Sequence, residues 1–149
     1  MLQLSTKFFG VKEISEEEII FFPEGIYGFP EEKQFFIFKE KEESPFLWLQ
    51  SIKNQDLAFI IINPNQIVKN YKPKILHTEL EFLGVNYFEE CKVFAILTIP
   101  ENKPEEMTIN LQGPILINTT KKLAKQVISL DEEHGVRMNV LELMKKQNL

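Results

Sequence analysis

The stretch Met-Thr-Ile-Asn-Leu-Gln-Gly-Pro-Ile-Leu-Ile-Asn, residues 107–118, decides the fold class. Apolar and polar residues alternate from Met107 to Gln112, which is the period of a half-buried β-strand. Gly113 and Pro114 then interrupt the strand, and three aliphatic residues resume it. Because proline lacks a backbone donor, we predict a bend or bulge at the edge of a β-sheet.

Three amide side chains flank this interruption: Asn110, Gln112 and Asn118. They could bind a ligand, or they could hold the bend together. No nucleophile, base or metal ligand accompanies them in the stretch, so we predict that they bond backbone groups that the bend leaves open. If the strand keeps its phase through the bend, Ile109 and Ile115 share one apolar face.

Short apolar runs recur along the rest of the chain, and thirteen phenylalanines favour pleated, half-buried surfaces. Two adjacent runs joined by a tight turn predict a hairpin. The predicted strands cover residues 7–11, 19–22 (as an edge strand), 35–38, 46–52, 58–64, 92–99, 107–118 and 123–128. The last of these also has the apolar spacing of a helix, but Val127 and Ile128 favour a strand. Helices are predicted over 73–84, ending at Gly84, and over 138–146. We therefore expect a mainly β protein, a small β-barrel-like single domain over residues 1–149 with one or two short helices.

Charge and composition limit the function. Seventeen Lys and Arg against 22 Asp and Glu give a net charge of −5, which disfavours direct nucleic-acid binding and suits a basic protein partner. The lone Cys91 indicates a reducing compartment. We see no signal peptide and no apolar run of about 18 residues, so we expect a cytoplasmic protein without a membrane contact.

Residues that could carry chemistry are few. His77 and His134 lie far apart, outside any metal-binding motif, and we expect them to be exposed or hydrogen-bonded. Cys91 follows Glu90, and a neighbouring carboxylate opposes thiolate formation. No phosphate-binding glycine motif is present. We expect no enzymatic activity, no metal and no cofactor, which leaves a binding module.

Carboxylates occur in runs that permit two interpretations. They are either a solvated surface or an acidic docking face for a basic protein. Among aromatic residues, Tyr27 and Trp48 are the better interface candidates because each has a polar group on an apolar ring. The candidate partner-binding residues are Glu16, Glu17, Glu18, Tyr27, Glu31, Glu32 and Trp48.

Four segments in this order resemble the flagellar assembly factor FliW family. They are Phe-Pro-Glu-Gly-Ile-Tyr-Gly-Phe-Pro with the strand after it, Ser-Pro-Phe-Leu-Trp-Leu-Gln-Ser with the run Ala-Phe and Asn-Pro, the strand ending at Pro100, and Thr-Ile-Asn-Leu-Gln-Gly-Pro-Ile-Leu-Ile-Asn followed by Gln-Val-Ile. Together they span residues 22–128. The matching residues are mostly apolar, glycine, proline and amide, and are typical of core and turn positions.

This resemblance implies a small cytoplasmic β-barrel-like protein without enzymatic activity. It also implies two partners. Proteins of this family bind flagellin, and when free of it they bind the carbon storage regulator CsrA and relieve its repression of flagellin translation. The acidic charge fits a basic RNA-binding regulator.

A small-molecule-binding β-barrel is the alternative, with an aromatic lining and Asn110, Gln112 and Asn118 as polar contacts. A filled interior without a sizeable pocket near these amides would count against it. An unrecognised enzyme would instead need a cleft that joins His77 or His134 to a carboxylate.

Overall fold

A computed structural model describes residues 1–147 of the protein. Over that range the chain forms eleven strands, two α-helices and short 3₁₀ turns. The strands are β1 (Leu2–Ser5), β2 (Val11–Ile14), β3 (Ile20–Phe21), β4 (Gln34–Phe38), β5 (Leu47–Ser51), β6 (Ala58–Ile62), β7 (Lys92–Thr98), β8 (Thr108–Ile109), β9 (Ile115–Asn118), β10 (Leu123–Gln126) and β11 (Met138–Asn139). The helices are α1 (His77–Leu83) and α2 (Val140–Gln147). Neither helix has the length and apolarity needed to cross a membrane.

Seven of the described strands close into a barrel in the order β3, β4, β5, β6, β7, β9, β10 and back to β3. Neighbours are antiparallel except β10 and β3, which run parallel. The mainly β, barrel-like prediction is therefore confirmed, as is the hairpin of β5 and β6. The prediction that residues 19–22 form an edge strand is wrong, because β3 pairs on both sides and the Phe21 N–H donates to the Lys122 carbonyl at 2.9 Å.

The barrel interior is filled by side chains from all of its strands, as expected for a barrel of this size. Phe22 and Phe35 meet edge to face with their ring centroids 5.1 Å apart. The buried strand residues of this interior are Ile20, Phe35, Leu49, Ile61, Phe94, Ile115, Ile117 and Ala124. Much of the phenylalanine content thus serves packing.

A second core lies outside the barrel, on the outer face of β6, β7 and β9. Strand residues there pack under α1, the segment before it and the start of α2. Its buried members include Ile62, Tyr71, Leu80, Leu83, Val93, Ala95, Leu97, Ile109, Leu116 and Val140. Helix α1 ends at Gly84 in a left-handed conformation, as predicted, but begins at His77 instead of Pro73. The second helix begins at Val140, because Met138 and Asn139 pair with β8.

The N-terminal residues form a hairpin of β1 and β2 rather than the predicted strand over 7–11. Residues 6–10 are its turn, because the Thr6 hydroxyl donates to the Gly10 carbonyl at 2.7 Å and accepts the Phe9 N–H at 2.9 Å. Gly10 has a φ of +67°, and a side chain there would meet open space. The Phe9 ring packs against Phe38 and Trp48, which places the hairpin over the outer face of β4 and β5.

The interrupted stretch pairs with β7 on both sides of the bend. Ile109 of β8 lies opposite Leu97, whereas Ile115 of β9 lies opposite Phe94. Phe94 and Leu97 are three residues apart along β7, whereas Ile109 and Ile115 are six apart along the interrupted strand. The bend therefore contains three additional residues, and because this number is odd, the two faces of the strand exchange across it. Ile109 packs in the outer core and Ile115 in the barrel interior. The predicted bend is confirmed, but its predicted position at a sheet edge is wrong, because β8 and β9 each pair on both sides. The condition of unbroken phase, under which Ile109 and Ile115 would share one face, is not met.

Amide side chains secure this bend. The Asn110 Oδ1 accepts the backbone N–H groups of Gln112 and Gly113 at 3.0 and 2.8 Å. The Gln126 side chain donates to the Gly113 carbonyl at 3.0 Å, and Asn118 donates to the Leu83 carbonyl at 2.8 Å. The predicted role in the bend is confirmed for Asn110. Asn118 instead bonds the backbone of α1 and of the turn after β9, and the side chain of Gln112 is exposed.

The loop over residues 22–30 crosses one end of the barrel and inserts Ile26 into its interior. Gly25 is left-handed with a φ of +66°. A side chain at Gly25 would collide with the Phe29 carbonyl and lie 2.8 Å from the Pro30 Cα. The glycine is therefore required both for conformation and for close approach of the backbone.

We expect Asn110→Ala to lower the free energy of unfolding by about 1–2 kcal/mol, because two backbone N–H groups lose their acceptor. Urea unfolding measures this change. Gln112→Ala is the matched control and should stay within about 0.5 kcal/mol, as surface substitutions generally do. Equal losses in the two variants would contradict the structural role of Asn110.

We expect Gly25→Ala to destabilise the fold more than Gly10→Ala, although both glycines have nearly the same φ. The positive φ costs an alanine about 1–2 kcal/mol at either position, and the collision adds roughly 1–3 kcal/mol at Gly25. Thermal unfolding of both variants separates the two effects. Indistinguishable melting temperatures would show that the loop adapts to the added methyl group.

Candidate partner-binding surfaces

The candidate residues predicted from the sequence fall into three separate regions. Glu16, Glu17 and Glu18 lie where β3 begins, beside the start of β7. The second group, Tyr27, Glu31 and Glu32, lies between β3 and β4 at the opposite barrel end. Trp48 stands apart from both on the outer wall, next to the β1–β2 hairpin.

The first region, here called the acidic end, surrounds a depression of about 360 Å³. Its floor is apolar and includes Ile20, and Glu17 and Glu18 stand on its rim with Lys92 and Lys122. The acidic run forms a single 3₁₀ turn whose side chains are exposed. Glu18 is partly committed, because its carboxylate accepts the Ser15 N–H at 2.8 Å. Glu16 and Glu17 are the carboxylates more available to a basic partner.

Glu31 and Glu32 differ in their surroundings. Glu32 is half-buried, and its carboxylate accepts the Ser51 hydroxyl at 2.9 Å. Glu31 is exposed and shares a shallow surface with Lys33 and Lys53. Two lysines beside one available carboxylate make this surface less acidic than the run of Glu16 to Glu18.

The opposite barrel end, here called the neutral end, contains a depression of about 420 Å³. The exposed ring of Tyr27 stands at its rim, and the Tyr27 N–H donates to the Gln126 side chain at 2.9 Å. Partial burial, followed by the charge of Glu79, raises the pKa of the Tyr27 hydroxyl. The lining residues are Ile26, Tyr27, Phe59, Ile96, Asn110, Gln112, Gly113, Gln126, Ile128 and Val136.

Lys125 anchors the rim of the neutral end to α1. Its ammonium lies 2.7 Å from Glu79 and 3.3 Å from Glu24, and 4.7 Å from the centroid of the Phe82 ring. Partial burial lowers the pKa of Lys125, but hydrogen bonds to the two carboxylates outweigh it and hold this pKa above its ordinary value. Lys125 is thus charged and satisfied internally.

Trp48 is half-buried between the hairpin and the outer wall. Its ring centroid lies 5.3 Å from those of Phe8 and Phe9. Its exposed part borders a mostly apolar groove of about 300 Å³ with Phe46 and Ile60. The ring therefore has a packing role in addition to its predicted role as an anchor.

The histidines and the cysteine lie in ordinary structural environments. His77 is exposed and lies 3.2 Å from Glu81 one helical turn away. The His134 Nδ1 lies 2.7 Å from the Ser129 hydroxyl, in line with the predicted hydrogen-bonded role. Burial, then the charge of Glu90, raises the pKa of the Cys91 thiol. In residues 1–147 no cluster of three or more histidine, cysteine or carboxylate side chains is arranged to hold a metal ion.

The structure counts only in part against the alternative of a small-molecule-binding barrel. The interior is filled, yet a depression does border Asn110 and Gln112 at the neutral end. Asn118 lies at the other end of β9 and donates to the backbone of α1. The Asn110 oxygen and the Gln126 amide are already bonded within the protein, so few polar groups are free to orient a ligand.

Gln126, Ile128 and Val136 are among the lining residues of the neutral end that were not predicted as site residues from the sequence. Ile128 follows the buried Val127 just after β10 ends, so its exposure breaks the apolar run. Gln126 alternates with Lys125 in β10 and shares the buried face of Ala124, and an amide on such a face is a signal that could have drawn attention to it. Val136 lies in an irregular segment whose sequence has no periodic signal.

Comparison with known proteins identifies relatives over nearly the whole chain. The family model described as FliW protein matches residues 3–140. The flagellar assembly factor FliW of Leptospira interrogans serogroup Icterohaemorrhagiae serovar Lai (strain 56601) is 46% identical over 141 residues, covering 95% of this chain and 94% of the relative. That of Bacillus subtilis (strain 168) is 40% identical over 134 residues, covering 90% of this chain and 93% of the relative.

The fold agrees with these sequence relatives. A crystal structure of the flagellar assembly factor FliW matches with a TM-score of 0.83 and 35% sequence identity, covering 93% of this chain and 96% of that chain. The identity and the coverage are high enough to extend the likeness from the fold to the family. The family predicted from the four segments is confirmed, and the chain belongs to the FliW family of flagellar assembly factors.

Proposed function

We propose that this flagellar assembly factor binds flagellin in the cytoplasm and, when free of flagellin, binds the carbon storage regulator CsrA. Binding to the regulator relieves repression of flagellin translation. The observation that carries the proposal is the family match over residues 3–140. On this proposal the protein acts through binding alone, without an enzymatic step.

Charge supports the regulator as a partner. The chain has a net charge of −5, and Glu16 and Glu17 are exposed at the acidic end. An RNA-binding regulator presents a basic surface, which such carboxylates attract. Once bound, the same carboxylates disfavour RNA nearby through like-charge repulsion.

Competition between the partners would couple synthesis to export. Flagellin that accumulates before export occupies this protein and leaves the regulator free to repress translation. Export releases the protein, which then withdraws the regulator from the flagellin message. Such a switch requires only that the two complexes exclude each other, whether or not their surfaces overlap.

We expect the purified protein to form separate complexes with flagellin and with the regulator from its own host. Size-exclusion chromatography of each mixture detects them. Adding excess flagellin to the regulator complex should release the regulator. Failure to bind either partner would refute the proposal, and a stable ternary complex would refute the competition.

We expect Glu16→Lys with Glu17→Lys to weaken regulator binding about tenfold at low salt, because two attractive charges become repulsive. Glu18 is left intact because it caps the preceding backbone. The same reversal at Glu105 and Glu106, beyond the far end of β7, is the control. Calorimetry over a salt series measures both.

These variants, measured together with Glu31→Lys, locate the docking surface for the regulator. Loss only in the Glu16 and Glu17 variant places the regulator at the acidic end. Loss only in Glu31→Lys would place it at the opposite end. Unchanged affinity and unchanged salt dependence in all variants would rule out an acidic docking face at these residues.

A further inference from the structure

We propose that the neutral end binds flagellin, through an apolar flagellin segment that carries a lysine or arginine at its margin. This inference rests on the function proposed above and adds the location and chemistry of the contact. It follows from the lining of the depression, the rigidity of its walls and the charge at its rim.

The lining selects an uncharged occupant. Within the described part of the chain, residues 1–147, the depression at the neutral end has no charged side chain in its lining. The acidic end instead carries Glu17 and Lys92, and the groove beside Trp48 carries Glu40. A charged group buried at the neutral end would lose hydration without gaining a counter-ion, whereas an apolar side chain would gain burial.

Large apolar side chains are already exposed around this depression. Tyr27 is 58% exposed, and Ile128 and Val136 are exposed to a similar extent. Phe29 is exposed as well, and its ring packs 5.7 Å from that of Phe59, which lines the depression. Contiguous exposed apolar groups of this kind mark protein interfaces, and aromatic residues often dominate their binding energy.

The walls are rigid, although they come from distant parts of the sequence. Gln126 joins two of them, because its side chain accepts the Tyr27 N–H and donates to the Gly113 carbonyl. The Ser129 N–H donates to the Gln112 carbonyl at 2.7 Å, which ties the segment after β10 to the bend. A surface ordered before binding loses little conformational entropy when a partner arrives.

The rim gives the occupant a charge preference. Glu24 and Glu79 share the single ammonium of Lys125, so one negative charge is in excess beside the Tyr27 ring. Partial burial raises the pKa of the Tyr27 hydroxyl, and the nearby charges of Glu79 and Glu24 add to this rise against the opposing charge of Lys125. A lysine or arginine at the edge of the apolar segment would contact both the ring face and the carboxylates.

The test replaces Ile128→Asp together with Val136→Asp, which adds charge to the apolar surface at exposed positions. Calorimetric titration with flagellin should show affinity at least about tenfold weaker than that of the unmodified protein. Val11→Asp, at an exposed valine on the β1–β2 hairpin, is the matched control and should leave affinity unchanged. Titration with the regulator and the melting temperature are measured on the same samples.

The outcomes separate this inference from the proposed function. If the unmodified protein fails to bind flagellin, the flagellin part of the proposed function fails and this inference fails with it. If it binds but the double variant binds equally well, only the location is overturned. If the double variant has a lowered melting temperature, Tyr27→Ser tests the location instead, because it removes an exposed ring and keeps the backbone N–H that bonds Gln126. Full affinity in Tyr27→Ser would then overturn the inference.

The charge preference has its own test in Glu24→Gln, which removes the excess charge at an exposed position. We expect weaker flagellin binding with a smaller salt dependence, because one ionic contact is lost. Affinity and salt dependence equal to those of the unmodified protein would show that the occupant carries no basic residue at this rim.

Discussion

The edge of β7 is shared by two strands of one interrupted segment, and the barrel depends on this division. β9 pairs with the first part of that edge and closes the barrel. β8 pairs with the last part and, on its other side, with β11, which lies outside the barrel. The bend between them is needed because a continuous strand would keep its phase and send the same side chains to one face. With an odd number of extra residues, Ile109 packs outside and Ile115 inside.

This exchange of faces gives the small chain two hydrophobic cores. The outer core fastens α1 and the start of α2 to the barrel wall, and the inner core fills the ring. Since the interior is occupied by side chains, recognition is left to the ends and the outer wall. The amides that hold the bend also hold the neutral end, because Gln126 bonds both the Tyr27 N–H and the Gly113 carbonyl.

The two ends differ in chemistry in a way that suits the two partners proposed above. The exposed carboxylates at the acidic end can attract a basic protein before the two surfaces touch, which mainly increases the association rate. The neutral end offers aromatic and aliphatic groups on a fixed frame, which favours close contact with an apolar segment. Separate surfaces remain compatible with competition, provided that binding at one end is coupled to binding at the other.

The sequence by itself determined the fold class, the family, the β5–β6 hairpin, the end of α1 at Gly84 and the structural role of Asn110, because these depend on local periodicity, turn chemistry and residue order. Local patterns failed where pairing was nonlocal. They did not reveal that β3 has a second neighbour in β10, that residues 6–10 form a turn, or that the bend reverses the faces. Only the tertiary structure brought Tyr27, Gln126 and Val136 to one surface, since their proximity arises from barrel closure and backbone bonds between distant loops.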